Sequence, residues 1–517
     1  FYPIVWHQVA SLGAWSWRET LIANNVLLLA VALVWYLGLV YLARTALPKV
    51  RHAPYLALAA SLLAPVFPWR LTYGAALWPY CMAVATCPAV IAMSIECWRR
   101  ARTLTVVAAR EQNTSVWGAR ARAAMALSAI IPFFVGSCLI HTSAAAMLLW
   151  PLFGILLCQA VHSGIRSWRC ERRAQAAAWW IGAVLAVVAL VAFVMLPGPQ
   201  QHHFGRYTEL DWSNLTTKLL IPITLDYFGG WAIEWVEIPL TILSLLGAAV
   251  CLWRRRTWEL VVAWVFSMSL ILAAIAPIPV LSSITGLFYR VPHRIKAMTA
   301  VLAVLLVVVA LDALRTWLSP LGARAGSALR AALGRIGLAS VSTAVLRAGA
   351  AVAALAVCLP IMLIGSRAVA TDVREGYLPV HGDTRFIADT AELDMIRRLP
   401  DELPDNAVVI GDPVAGTGYI PILTGMRSVW VFPGQAADDQ DGIYLRENFN
   451  RIHTDPHVCE LLQRHGIQYF YADKDIVFNG NRLSKFRPGL YGVDTSSGFT
   501  LVDSGGTASL WHIDICD

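Results

Sequence analysis

Hydrophobic positions along the first 366 residues run in long blocks, not in the short rhythms of a soluble fold. Ten blocks stand out, at 21–44, 54–68, 76–97, 123–140, 143–163, 176–197, 232–252, 257–278, 296–314 and 348–366. A helix needs about 20 apolar residues to cross a bilayer, so each block predicts one transmembrane helix. Pro65 and Pro68 interrupt the second block, which predicts a broken or tilted helix there.

From residue 367 the rhythm shortens. ELDMIRRL (392–399) has helical spacing, and AVVIGDP (407–413) reads as a buried strand followed by a turn. PHVCELLQRHG (456–466) predicts a helix ending at Gly466, and IQYFYAD (467–473) another strand. FTLVDSGGTASLWHID (499–514) predicts a hairpin about Gly505 and Gly506. The expected fold is a polytopic α-helical membrane domain over 1–366, followed by a small α/β domain over 367–517.

The polar connections orient the chain. Basic clusters follow every second block: Arg44/Lys49/Arg51, the Arg99–Arg122 group, Arg166–Arg173, Arg254/Arg255/Arg256 and Arg315–Arg347. Residues 1–366 place 21 Lys and Arg on that side and 7 on the other, so the clustered side is predicted to be cytoplasmic. Residues 1–20 and 367–517 then lie outside the plasma membrane, and a further span is expected upstream of Phe1. Residues 315–347, rich in Ala and Leu with Arg at intervals of roughly five, predict an amphipathic helix on the inner leaflet.

Composition agrees: 57% hydrophobic and 14% charged residues, with a mean hydropathy of +0.58, exclude a single soluble core. The net charge of +8 conceals 28 basic against 11 acidic residues in 1–366, and 13 against 22 in 367–517. The positive charge belongs to membrane topology, so lipids and not nucleic acid are the expected partners.

One stretch departs from the topology. LFYRVPHRIKAM (287–298) places Arg290, His293, Arg294 and Lys296 on the predicted outer side. Pro292 suits the first turn of the ninth helix, so these cations oppose the helix dipole at a cost of about 0.3–1 kcal/mol each. A bound anion would relieve that cost, whereas headgroup anchoring is the simpler use of such residues. Three more outer positions could line the same cavity: His7 in YPIVWH, Arg70 in FPWRLTYG and His141 in CLIHTSAA. Interface belt residues and structural histidines would look the same in sequence. Glu19 is the sole acid before Glu96, and it offers no catalytic assignment.

Other motifs are weaker. GDPVAGTG (411–418) follows a strand but has neither GxxxxGK[ST] nor GxGxxG, so a tight turn explains it. The ten cysteines form no CxxC, and neither a metal site nor a divalent metal has support in the sequence. Cys459 and Cys516 are the two cysteines beyond residue 367, and in an export compartment they are expected to form a disulfide; two free thiols are the rival.

These features together resemble the GT-C superfamily of polyprenyl-phosphate-dependent glycosyltransferases, and within it an actinobacterial family of multi-pass membrane proteins. The resemblance rests on Tyr2, Pro3, Trp6 and His7; on Phe67, Pro68, Gly74, Trp78 and Pro79; and on Tyr289, Pro292, His293 and Arg294. GDPxxGTG, Cys459 and Cys516 extend it into the tail. It implies transfer of a sugar from a polyprenyl-phosphate donor to an envelope glycan acceptor on the outer face. The phosphate would sit among Arg290, His293, Arg294, Tyr289, Arg70, His7 and His141. Members place a catalytic acid in the first outer loop, which would lie largely before Phe1, and Glu19 does not match it. A transporter or flippase of lipid-linked sugar and a non-catalytic assembly or glycan-binding protein are the alternatives.

Overall fold

The structure, a computed structural model, describes most of residues 4–195, 231–335 and 388–516. Contacts divide the chain into two units, Phe1–Gln8 with Leu27–Asp372, and Val9–Val26 with Val373–Asp517. In chain order the helices up to residue 335 are α1 (Val5–Ser11), α2 (Trp17–Ala46), α3 (Ala53–Leu63), α4 (Trp78–Arg110), α5 (Val116–Ser128), α6 (Ile130–Ile140), α7 (Ser143–Arg169), α8 (Arg173–Met195), α9 (Trp231–Trp253), α10 (Trp258–Ile275) and α11 (Pro292–Arg335).

Seven helical segments have the length and hydropathy of a membrane span: Glu19–Ala46, Trp78–Leu104, Ala121–Ile140, Ser143–Arg169, Arg173–Ala192, Trp258–Ile275 and Arg294–Pro320. Each falls on a predicted block. The blocks at 54–68 and 232–252 carry the shorter apolar helices Ala53–Leu62 and Ile238–Trp253. The block at 348–366 lies mostly outside the described residues. The protein is therefore a polytopic helical membrane protein with a small sheet region near its C-terminal end. Exposed Trp98, Trp168 and Trp253 stand beside the Arg clusters, where amphipathic rings meet headgroups.

The packing follows from which helices have a polar face. VLAVLLVVVAL in α11 is apolar all round, so no side of it prefers water, and it runs buried among α3, α9 and α10. At its crossing with α9 the backbones nearly touch: a Cβ on Gly247 would lie 2.0 Å from the Leu306 carbonyl oxygen, which only glycine avoids. α8 packs chiefly on α7 and leaves Val184, Leu185 and Val188 exposed, a surface suited to lipid. Of the predicted leaflet helix, residues 315–335 are helical and continue α11 itself through Pro320, as their content of Ala, Leu and Arg favours, and residues 336–347 lie outside the described residues.

The second unit holds a five-stranded sheet in the order β2-β1-β3-β7-β6. Its strands are β1 (Val408–Ile410), β2 (Arg427–Ser428), β3 (Tyr469–Ala472), β6 (Phe499–Gly505) and β7 (Ala508–Ile513), and the hairpin β4 (Val477–Phe478) and β5 (Asn481–Arg482) stands apart. β1 pairs in parallel with β2 and β3, while β7 runs antiparallel to both β3 and β6. The helices are α12 (Thr390–Glu402), α13 (Tyr419–Thr424), α14 (Gln440–Asn448) and α15 (Pro456–His465).

Strand alternation sorts the core into two layers. Val408, Ile410 and Phe470 face Phe449, Val458, Leu461 and Leu462 on one side of the sheet. Val409, Tyr469 and Tyr471 face Met395, Ile396 and Leu399 of α12 on the other. The predicted helices, strands and hairpin all fall within these elements, and α15 ends at Gly466 in a left-handed cap. Cys459 and Cys516 form the expected disulfide, with Cα atoms 5.2 Å apart and a separation of 57 positions in sequence. It ties α15 to the chain that follows β7, and the Gln463 amide also donates to the Cys516 carbonyl oxygen.

Candidate functional site

The site begins in the turn between α10 and α11. Ser282 accepts from the Ile278 amide at 2.9 Å and donates to the Ala273 carbonyl oxygen at 2.9 Å, which folds the chain back on the end of α10. A helical turn (Leu281–Ile284) and a 3-10 turn (Thr285–Phe288) follow, anchored by fully buried Phe288. Tyr289 and Arg290 then both adopt left-handed backbone, with φ of 55° and 56°. Each such non-glycine residue costs on the order of 1–3 kcal/mol, a kind of strain that concentrates at functional sites. The Tyr289 amide bonds to the Gly286 carbonyl oxygen at 2.8 Å and the Arg290 amide to that of Thr285 at 2.9 Å, so the turn is held by its own backbone. Pro292 then starts α11 as its first residue.

This strained turn aims side chains at residues far away in sequence. The Arg294 guanidinium lies 4.4 Å from the Tyr289 ring centroid and 5.9 Å from that of Tyr80, at the start of α4. The Tyr80 hydroxyl donates to the Arg294 carbonyl oxygen, which joins the first turns of α4 and α11. His141, between α6 and α7, sets its ring edge-on to Tyr80 at 5.3 Å and lies 6.3 Å from Tyr289. Tyr80 and His141 are buried, Arg290 and Arg294 half-buried, and Tyr289 is exposed.

The charge states within this group follow from burial and from Arg294. Burial and the neighbouring Arg294 charge push the His141 ring down to about 4, so it is neutral at ordinary pH. Its Nδ1 accepts from the Ser143 amide at 3.2 Å, with the Ser143 hydroxyl 2.7 Å away, which leaves the ring proton on Nε2. Tyr80, His141, Tyr289, Arg290 and Arg294 thus supply cations and neutral donors, with no carboxylate in this set. A guanidinium laid against tyrosine rings has a fixed plane, and its fork of N–H donors matches an oxyanion bidentately. Chemically, such a set is able to receive an anion.

The structure brings together Arg294, Tyr289 and His141, with Arg290 in the same turn. His293 lies in the first turn of α11, and its side chain is outside the described residues, as is the whole of Arg70. His7 is exposed on α1, where the adjacent Trp6 is buried and its ring lies 5.9 Å from that of Trp78, two residues before Tyr80. Tyr80 joins this group through contacts that no local motif encodes; its sequence signal is the WPY stretch at 78–80. Lys296 is also buried, an ionisable residue inside a membrane helix of the kind that marks functional sites.

The tail motif GDPVAGTG is occupied structurally. Asp412 is buried, accepts from the Val414 amide at 2.8 Å and from the Tyr491 hydroxyl at 2.9 Å, and pairs with Arg487 at 3.1 Å. Among the described residues no group of three or more His, Cys, Asp or Glu is placed to hold a metal ion.

No protein of curated function matches the chain. The profile of DUF6541, a family of unknown function, matches residues 1–515, and the chain belongs to that family.

Proposed function

We propose that the protein is a GT-C-type membrane glycosyltransferase that moves a sugar from a polyprenyl-phosphate donor to a cell-envelope acceptor at the outer face of the plasma membrane. In this reading ten spans cross the membrane, the Arg clusters lie in the cytoplasm, and the α/β unit is extracytoplasmic. The observation that carries it is the constellation of Arg294, Tyr289, Tyr80 and His141, drawn from three separate parts of the chain. Cations and neutral donors at a helix start stabilise the negative charge that grows on a departing lipid phosphate. Arg294 and Arg290 would hold the phosphate oxygens, and the His141 Nε2–H would supply a neutral donor.

The test is binding of a polyprenyl phosphate to the full chain in lipid nanodiscs. Losing a charge-assisted contact costs about 1.5–3 kcal/mol, so Arg294→Ala is expected to weaken binding about tenfold or more, with thermal unfolding little changed. Equal affinity in wild type and variant sinks the proposal.

The Glu19 carboxylate accepts from the Trp15 amide at 2.7 Å and the Ser16 amide at 3.1 Å, so it is engaged in starting α2 and takes no part in the proposed chemistry. Donor binding without transfer of labelled sugar would point to an assembly or glycan-binding protein. Movement of the lipid-linked sugar between leaflets without transfer would point to a flippase.

A further inference from the structure

The α/β unit carries polar chemistry of its own. Glu392, in the first turn of α12, is 1% exposed. Its amide donates to the Asp389 carboxylate at 2.9 Å, and one of its carboxyl oxygens reaches back to the Asp389 amide at 3.3 Å. The other carboxyl oxygen accepts from the Tyr471 hydroxyl of β3. Gly416 of the GDPVAGTG loop lies directly over this pair. A Cβ there would meet the Glu392 oxygen at 2.2 Å and the Tyr471 hydroxyl at 2.5 Å, and its φ of 114° suits glycine alone. Next to it Thr417 is fully buried, and its hydroxyl has no hydrogen-bond partner among the described residues.

Two features of this arrangement concern its polar groups. The titratable groups that act on Glu392 are Asp389 on its own helix, Tyr471 and Asp473 on the β3 side, and Tyr419 at the start of α13. Asp473 accepts from the Thr507 hydroxyl at 2.6 Å and feels the charge of Lys474. Burial, with the Asp473 and Asp389 charges added to it, outweighs the hydrogen bonds from Tyr471 and the Asp389 amide, so the carboxyl is held in its neutral form. The Thr417 hydroxyl, without a hydrogen-bond partner among the described residues, is a second polar group of this loop whose burial calls for an explanation.

We propose that Glu392 is a proton-operated latch on the GDPVAGTG loop. The neutral carboxyl, bonded to Tyr471, seats Gly416 on α12. Loss of its proton to solvent expels the carboxylate from the packed layer and releases residues 411–418 to an arrangement in which the Thr417 hydroxyl is hydrogen-bonded. Burial holds the carboxyl up at about 8, so the latch is closed in acid and opens as the medium turns mildly alkaline.

Hydrogen–deuterium exchange on the full chain in nanodiscs tests this. Between about pH 6 and pH 9, after correction for intrinsic exchange, amides of 411–418 and of the first turn of α12 are expected to lose protection roughly tenfold or more. Amides of β6 and β7 should hold theirs. Glu392→Gln keeps the neutral hydrogen bond without a titrating proton and should remove the pH dependence. Should that variant not fold, Tyr471→Phe is expected to loosen the loop at both pH values. Equal protection of the wild-type loop at both values overturns the latch. So does the same pH-dependent loss in the Gln variant, or an unloosened loop in Tyr471→Phe.

Discussion

At position 294 arginine has a physical content that lysine cannot supply. A planar guanidinium 4.4 Å from a tyrosine ring gains cation–π attraction and keeps a fixed fork of donors, whereas an ammonium is a hydrated point charge. Arg294→Lys is therefore expected to recover little of the lipid-phosphate affinity lost in Arg294→Ala, a comparison that the same nanodisc binding curve makes. His141 gives a second outcome. An ordinary histidine titrates near 6.5, but this one is held down to about 4, so phosphate binding should not change with His141 protonation between about pH 5 and 8. A binding transition near pH 6.5 that vanishes in His141→Asn would contradict that placement. The cations were legible in sequence because they broke the positive-inside pattern. Tyr80 was not, since its role depends on a contact with the carbonyl of a residue 214 positions away.

Among the elements, α11 shows how pattern and packing meet. Its all-round apolar sequence predicts burial, but nothing in that pattern says which neighbour lies closest. Gly247 on α9 decides it, and Gly247→Leu is expected to separate the two helices, because the Leu306 backbone cannot yield as a side chain would. Loss of the folded population in detergent, followed by size exclusion and thermal melting, is the measurement. In the α/β unit β1, β3, the β6–β7 hairpin, α12 and α15 were readable from local pattern, but the short β2, β4 and β5, the helices α13 and α14, and the order β2-β1-β3-β7-β6 were not. Pairing depends on contacts between residues 408–410 and 469–472 that no local pattern encodes. The disulfide is the stabilising link here. Removing it with Cys459→Ser and Cys516→Ser together is expected to cost roughly 4 kcal/mol in chemical unfolding of this unit, because the closed loop spans 57 residues.

For the whole molecule, charge distribution was the most informative reading. The alternation of basic clusters assigns sides to every connection, a rule that rests on the asymmetry of membrane insertion and needs no tertiary contact. Cysteines introduced near residue 110 and near residue 440 should respond oppositely to a membrane-impermeant reagent applied to intact cells, the second labelled and the first protected. Labelling at 110 alone would invert the arrangement. The number of helices reaching full span length was less legible, because hydropathy blocks mark where a chain prefers lipid, not how far a helix runs. α4 and α11 both extend well past the blocks that predicted them. Stability should also carry a pH signature. Glu392 binds its proton more tightly folded, near 8, than unfolded, near 4.5, so the α/β unit is most stable below about 4.5 as far as this group decides. That contribution declines as pH rises through 8, and Glu392→Gln should flatten the slope in thermal melts.

The Cys459–Cys516 bond also sets a clock on biogenesis. When α15 has been synthesised, its thiol has no partner until 57 further residues follow, which at about 5–20 residues per second is a wait of roughly 3–11 s. During that interval β3, the small hairpin, β6 and β7 are made. Throughout, Cys459 is a thiol open to oxidants and to exchange with other disulfides. The oxidised bond therefore cannot precede synthesis of the last strand, and pulse-chase thiol trapping would read the maturation of the protein as it happens.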